Sequence, residues 1–216
     1  MKKHYYLTLD TETTNSLEYP LAYDIGGCIH DRNGVIIEKF SFLVTDIFCD
    51  TELMQSAYYK TKIKLYLNML YRQEIVPMSF AEIHVYICQL IKKYNVSRIY
   101  AYNASFDRKA LNITMRYLTS STKRYYFPKE IEWHDILKGV RQTIGSQKKY
   151  LNFCRENDYM TNHDPKRARM SAEVVYKYLL QDKDFEERHM ALADCEIEIA
   201  IIKACWDKHM KMDCKM

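Results

Sequence analysis

Leu7-Thr8-Leu9-Asp10-Thr11-Glu12-Thr13-Thr14, the stretch LTLDTETT at residues 7–14, organises the reading of this 216-residue chain. Residues 4–10 alternate in polarity and end on a carboxylate, the pattern of a central strand that delivers Asp10 to its C-terminal end. Asp10 and Glu12 lie two apart, and in an extended strand residues i and i+2 leave the same face, so the two carboxylates can share a cation. Taken alone the pair is weak, because such acids also occur as solvated surface charge. The apolar stretch before it adds weight: neighbouring carboxylates at a buried strand end repel one another and resist desolvation unless a cation compensates them.

Working outward, residues 21–30 and 35–44 form two more strand-like runs around Asp31, Arg32, Asn33 and Gly34, and the Asn33-Gly34 pair signals a hairpin. The first three strands therefore read as an antiparallel meander. Gly26 and Gly27 inside the second run would weaken it unless a bulge or a close neighbour requires them. Residues 51–73 read as one helix with Leu53, Ala57, Tyr58, Leu65 and Leu67 among its apolar positions, closed by Pro77. Ser79 and Glu82 make a capping box that opens a helix to residue 94, with the stripe Ile83, Ile87, Leu90 and Ile91.

Residues 97–102 read as a short buried strand, 104–118 as a helix with Asp107 in its first turn, and 130–134 as a strand. Asp135 then caps a helix over 136–142. Helices at 149–157 and 171–180 precede a last one over 188–206, which is expected to present both His189 and Asp194. The order predicts an α/β fold: a mixed central sheet of about five strands, the antiparallel meander first, flanked by helices. The length suits a single domain over 1–216, with a helical insertion around 158–184.

Composition sets limits. No apolar run is long enough to cross a bilayer, and seven scattered cysteines without a CxxC pair fit reduced thiols, so the expected location is the cytoplasm, away from membranes. Cys205, His209 and Cys214 lack the paired knuckles of a structural zinc site. A net charge of +4 permits nucleic-acid binding without demonstrating it. Basic residues gather at Lys60, Lys62 and Lys64, at Lys123 and Arg124, at Lys148 and Lys149, and at Lys166, Arg167 and Arg169; each group alone is more simply a solvated surface.

Three separated places hold the chemistry: Asp10 and Glu12; Asp107 in YNASFDRKAL; and His189 with Asp194 in HMALADCEIE. Four carboxylates and one imidazole predict a site for two divalent cations, Mg²⁺ or Mn²⁺, which favour oxygen ligands. Two such ions clamp the attacking and leaving oxygens of a phosphodiester displacement, and a nearby histidine can take the proton of the attacking water.

In this order DTETT, NASFD and HxALxD resemble the three motifs of the DEDDh group of 3′-to-5′ exonucleases, the DnaQ-like family that includes the proofreading subunit of bacterial DNA polymerase III and phage-borne relatives. The group that uses a tyrosine base places it four residues before the last aspartate, where this chain has Met190. The resemblance implies a ribonuclease H-like fold and two metal ions bridged by Asp10. Glu12 and Asp194 would sit on the nucleophile's metal and Asp107 on the other, with His189 as base. Thr11, Thr13 and Asn103 lie in the same motifs and would position the terminal nucleotide. The implied activity is metal-dependent 3′-to-5′ hydrolysis of single-stranded DNA to nucleoside 5′-monophosphates, in replication or repair and with a replication or phage-encoded protein as a partner. An RNA 3′-end exonuclease of the same fold and a non-catalytic module that grips nucleic-acid ends are the alternatives. Oligomeric state is not legible in the sequence.

Overall fold

The computed structural model describes residues 4–120 and 122–216. In chain order the elements are β1 (Tyr5–Thr14), β2 (Leu21–Asp31), β3 (Ile36–Val44), α1 (Thr45–Phe48), α2 (Thr51–Gln55), a 3₁₀ turn (Lys60–Lys62), α3 (Ile63–Tyr71), β4 (Val76–Met78) and α4 (Phe80–Tyr94). There follow β5 (Arg98–Ala101), α5 (Ala104–Leu118), β6 (Glu132–Asp135), α6 (Ile136–Thr143), α7 (Lys148–Glu156), α8 (Ala172–Leu180) and α9 (Ala191–Asp207). The strands form one mixed sheet in the order β4-β3-β2-β1-β5-β6. The meander β1-β2-β3 is antiparallel, whereas β5 joins β1, β6 joins β5 and β4 joins β3 in parallel. This is the α/β, ribonuclease H-like architecture that the sequence predicts, with a sixth strand added at one edge.

Alternation along β1 divides the molecule. Leu7 and Leu9 enter a core cluster with Ile83, Ile87 and Leu90 of α4 and Leu111 and Met115 of α5. Asp10 and Glu12 leave the opposite face and meet α9 at Asp194. A second cluster joins Ile136 and Val140 of α6, Tyr150 of α7, Val175 of α8 and Ile201 and Ile202 of α9. α9 lies across β1 and β2, and α8 packs on α9. Gly26 makes this approach possible, because a Cβ there would fall 2.2 Å from the Leu192 nitrogen. The glycine inside β2 thus marks where the N-terminus of α9 presses on the sheet. Gly27 is the same kind of position, its Cβ space taken by the Phe40 ring at 2.2 Å.

Ser79 and Glu82 form their capping box, and Asp135 caps α6 by accepting from the Lys138 N–H at 3.3 Å. Other expectations are corrected. The single helix expected over 51–73 is broken into α2, the 3₁₀ turn and α3, leaving Leu65 and Leu67 43% and 52% exposed while Met54, Ala57 and Tyr66 enter the core. The break is built by polar contacts: Asp50 caps α2, and the Ser56 hydroxyl accepts from the Asn15 N–H at 2.8 Å, tying the helix end to the end of β1. Pro77, expected to end that helix, sits instead in β4, an edge strand where a missing N–H is tolerated. In the β2–β3 turn only Gly34 has positive φ, at +75°, and the Asp31 carboxylate closes the turn by accepting from the N–H groups of Asn33 and Val35 at 2.8 and 3.1 Å. The last helix starts at Ala191, so His189 precedes it in a left-handed conformation, φ +51°. No helix among the described residues is long and apolar enough to cross a membrane. Within 158–184, α8 is the helical element.

Candidate active site

Asp10, Glu12 and Asp194 come together: one carboxylate oxygen from each lies within 4.8 Å of the others. β1 supplies the first two from one face, and the first turn of α9 supplies the third. Asp107 stands at the start of α5, 2% exposed, and its Oδ1 accepts from the Thr11 N–H at 3.0 Å and the Thr11 hydroxyl at 2.9 Å. Thr11 therefore faces away from Asp10 and Glu12 and braces α5 against the strand. Both of its donors are committed to Asp107, which makes it a brace rather than an open contact for a nucleotide. Thr13 is half-buried beside the register shift that follows Glu12. Asn103 is exposed at φ +66°, with its N–H donating to Asp135 Oδ1 at 3.1 Å. Phe106 is half-buried and belongs to neither large core cluster.

Three further acids gather here that sequence reasoning missed. Glu198, 1% exposed, lies one turn beyond Asp194 on α9 and accepts from the Tyr102 N–H at 2.9 Å. Asp24 is buried in β2, where its Oδ2 accepts from the Tyr66 hydroxyl at 2.7 Å and the Ala191 N–H at 3.2 Å. Glu187 lies two residues before His189, its Oε2 3.7 Å from the imidazole Nδ1. Signals existed: the i, i+4 spacing of Asp194 and Glu198 on one helix face, and an acid within the apolar run of β2.

The electrostatics follow from burial and from like charges. Burial, with help from Asp24 and Asp194, pushes Glu12 up to about 9; burial and Glu187 push Asp194 up to about 8. Asp107 rises to about 7 through burial, despite the hydrogen bonds from Thr11 that favour its ionised form. Asp10 is raised by burial and then by Asp107, Glu198, Asp194 and Glu12. Lys62 opposes this accumulation and lowers Glu12 and Asp194. The donor set fits divalent cations. Asp194 Oδ1 and Glu198 Oε2 are buried without a hydrogen-bond partner among the described residues, a costly state that an oxygen-seeking ion would relieve.

His189 is held from outside the sheet. Its ring stacks on Tyr59 with centroids 4.8 Å apart and planes at 15°. Lys62 donates to the His189 carbonyl at 3.0 Å and to the Arg188 carbonyl, and its ammonium lies 4.3 Å from the Tyr59 ring centroid. The 3₁₀ turn is thus a strap over the loop before α9, and through Lys62 the basic group at 60–64 reaches the site. Burial and the charge of Lys62 lower the pKa of His189, so the imidazole is neutral at pH 7 and able to accept a proton. The expected placement of His189 and Asp194 on one helix is replaced by a loop and a helix start. Even so, the loop brings Glu187, His189 and Asp194 to donor atoms within 4.8 Å of one another.

No protein-family model and no curated protein matches the sequence. Solved structures match the fold. Escherichia coli exonuclease I, in a zinc-bound complex with single-stranded DNA, aligns with a TM-score of 0.57 and 16% identity over 97% of this chain and 42% of that one. Exonuclease I from Methylocaldum szegediense aligns at 0.57 and 14% over 96% and 41%, and cell-death related nuclease 4 (CRN-4) at 0.54 and 10% over 96% and 65%. The chain spans about two-fifths of the length of the exonuclease I structures it matches. It therefore carries the fold of these exonucleases, the fold implied by its three motifs.

Proposed function

We propose that this chain is a divalent-metal-dependent exonuclease that removes nucleoside 5′-monophosphates from the 3′ end of single-stranded DNA. The convergence of Asp10, Glu12 and Asp194 within 4.8 Å, on a fold shared with exonucleases, carries this reading. Asp10, Glu12, Asp107 and Asp194 would hold two Mg²⁺ or Mn²⁺ ions, which when bound neutralise the phosphodiester and acidify the attacking water. His189, neutral and solvent-accessible, takes the water's proton on an imidazole nitrogen as the new P–O bond forms and the 3′ oxygen of the shortened strand departs. Thr11 holds Asp107 in place, and Thr13 and Asn103 would contact the terminal nucleotide. The exonuclease I neighbours solved with single-stranded DNA oligonucleotides support DNA as the substrate.

Strands labelled at the 3′ end, and strands blocked there, are incubated as DNA and as RNA, with Mg²⁺ or with a chelator. Release of mononucleotides from free DNA 3′ ends alone, and only with metal, is expected. Equal release from blocked ends, or release undiminished in Asp10→Asn, overturns the reading; faster release from RNA reassigns the substrate.

A further inference from the structure

Glu187 has no part in the mechanism above, yet it converges with two residues that do. Glu187 Oε2 and His189 Nδ1 are 3.7 Å apart, too far for a hydrogen bond. Asp194 brings a third donor into the same 4.8 Å group, and its Oδ1 is buried without a partner. Asp194 is 93% buried and anchored at the start of α9, while Lys62 holds the His189 backbone and Tyr59 stacks on its ring, so the Asp194 donor is preset and the His189 donor is kept close to it. A tetrahedral ion with bonds of about 2.0–2.2 Å needs donors about 3.4 Å apart, a contraction within reach of the Glu187 and His189 side-chain torsions.

We propose that Glu187, His189 and Asp194 form a second cation site, selective for an imidazole-preferring ion such as Zn²⁺, that overlaps the all-carboxylate group at Asp194. The chemistry of the two groups separates them. Asp10, Glu12 and Asp194 offer oxygen alone, which suits Mg²⁺, whereas the second group adds an imidazole nitrogen, which Zn²⁺ takes and Mg²⁺ does not favour. An ion there uses the lone pair that His189 needs to accept a proton and draws on Asp194, which the other group shares. Zn²⁺ bound at this site therefore opposes the Mg²⁺-supported state.

The test needs no nucleic acid, so its outcome is independent of whether the exonuclease reading holds. Zn²⁺ is titrated into the protein against a chromophoric competing chelator, in excess Mg²⁺. The parent should retain Zn²⁺, and Glu187→Gln and His189→Asn should each weaken it at least about tenfold, since changes merely adjacent to a metal ligand already cost that much. Glu187→Gln should keep the Mg²⁺ melting shift of the parent, and zinc X-ray absorption should show an imidazole ligand that His189→Asn removes. Zn²⁺ bound equally tightly by either variant, displacement from the parent by excess Mg²⁺, or absorption without imidazole would each overturn the proposal.

Discussion

The two halves of the candidate site are built by different means. On the sheet side, Asp10 and Glu12 ride on β1, paired with β2 along its full length, and Asp107 is tied to the same strand through Thr11. On the loop side, His189 sits outside any helix or strand and is held by one stacked ring and one lysine. Carboxylates that share a cation must be kept close against their repulsion, which favours a rigid, hydrogen-bonded frame. A group that receives a proton must instead reach its partner and release it to solvent, which a strapped loop allows.

If that division is right, damage to the sheet side removes metal and turnover together, and damage to the loop side removes turnover alone. Asp10→Asn should lower the rate at least about 10³-fold, the several kcal/mol of charge stabilisation that metal supplies, and should abolish the Mg²⁺ melting shift. His189→Ala should lower the rate about 10²-fold through loss of the base and leave that melting shift intact. Single-turnover rates set beside melting curves check both. A His189→Ala protein that no longer responds to Mg²⁺ would erase the distinction between the halves.

The same division explains what was legible beforehand. Strand alternation and caps have short-range causes, so β1, the meander, the Ser79 capping box and the Asp135 cap could be read from neighbouring residues. Asp10, Glu12, Asp107, His189 and Asp194 were named from three short stretches; the fold gathers Asp10, Glu12 and His189 around Asp194 and ties Asp107 to β1 through Thr11. The Tyr59–Lys62 strap could not be, because it depends on a helix broken by contacts to the distant end of β1, and the apolar spacing over 51–73 pointed to continuity. Glu198 and Asp24 were hidden for another reason: a buried acid within an apolar element reads as surface charge until the neighbouring acids are in place.

A smaller effect tests the strap itself. Lys62→Met keeps much of the stem against Tyr59 but removes the donor to the Arg188 and His189 carbonyls. Lys62 acts through His189, as a positioning residue, so the variant should lose about tenfold in turnover, short of the full contribution of a base. The charge on Lys62 also lowers the His189 pKa, so the acidic limb of the pH–rate profile should move to higher pH. A merely structural lysine would leave that limb in place, and an unmoved limb counts against the strap.

The smallest expected effect is a slope, and it belongs to the sheet side. Glu12, Asp194 and Asp107 are raised to about 9, 8 and 7, and Asp10 is raised as well, against ordinary carboxylate values of about 4. Between about pH 4 and 9 the metal-free folded chain therefore binds more protons than the unfolded chain, and stability falls as pH rises through that window. Its melting temperature should drop between pH 6 and about pH 9. Metal reverses the trend, because ligation requires the ionised carboxylates. At about a hundred times the dissociation constant Mg²⁺ adds about 2.7 kcal/mol, roughly 5–11 °C for a chain of this size, with most of the gain above pH 7. Asp10→Asn should flatten the metal-free slope, since it removes one raised carboxylate and the repulsion it exerts, whereas His189→Ala should leave the slope above about pH 7 unchanged, because the lowered imidazole pKa keeps its contribution below that range. Equal slopes in the parent and Asp10→Asn would mean that the acids on β1 do not repel one another as their burial requires.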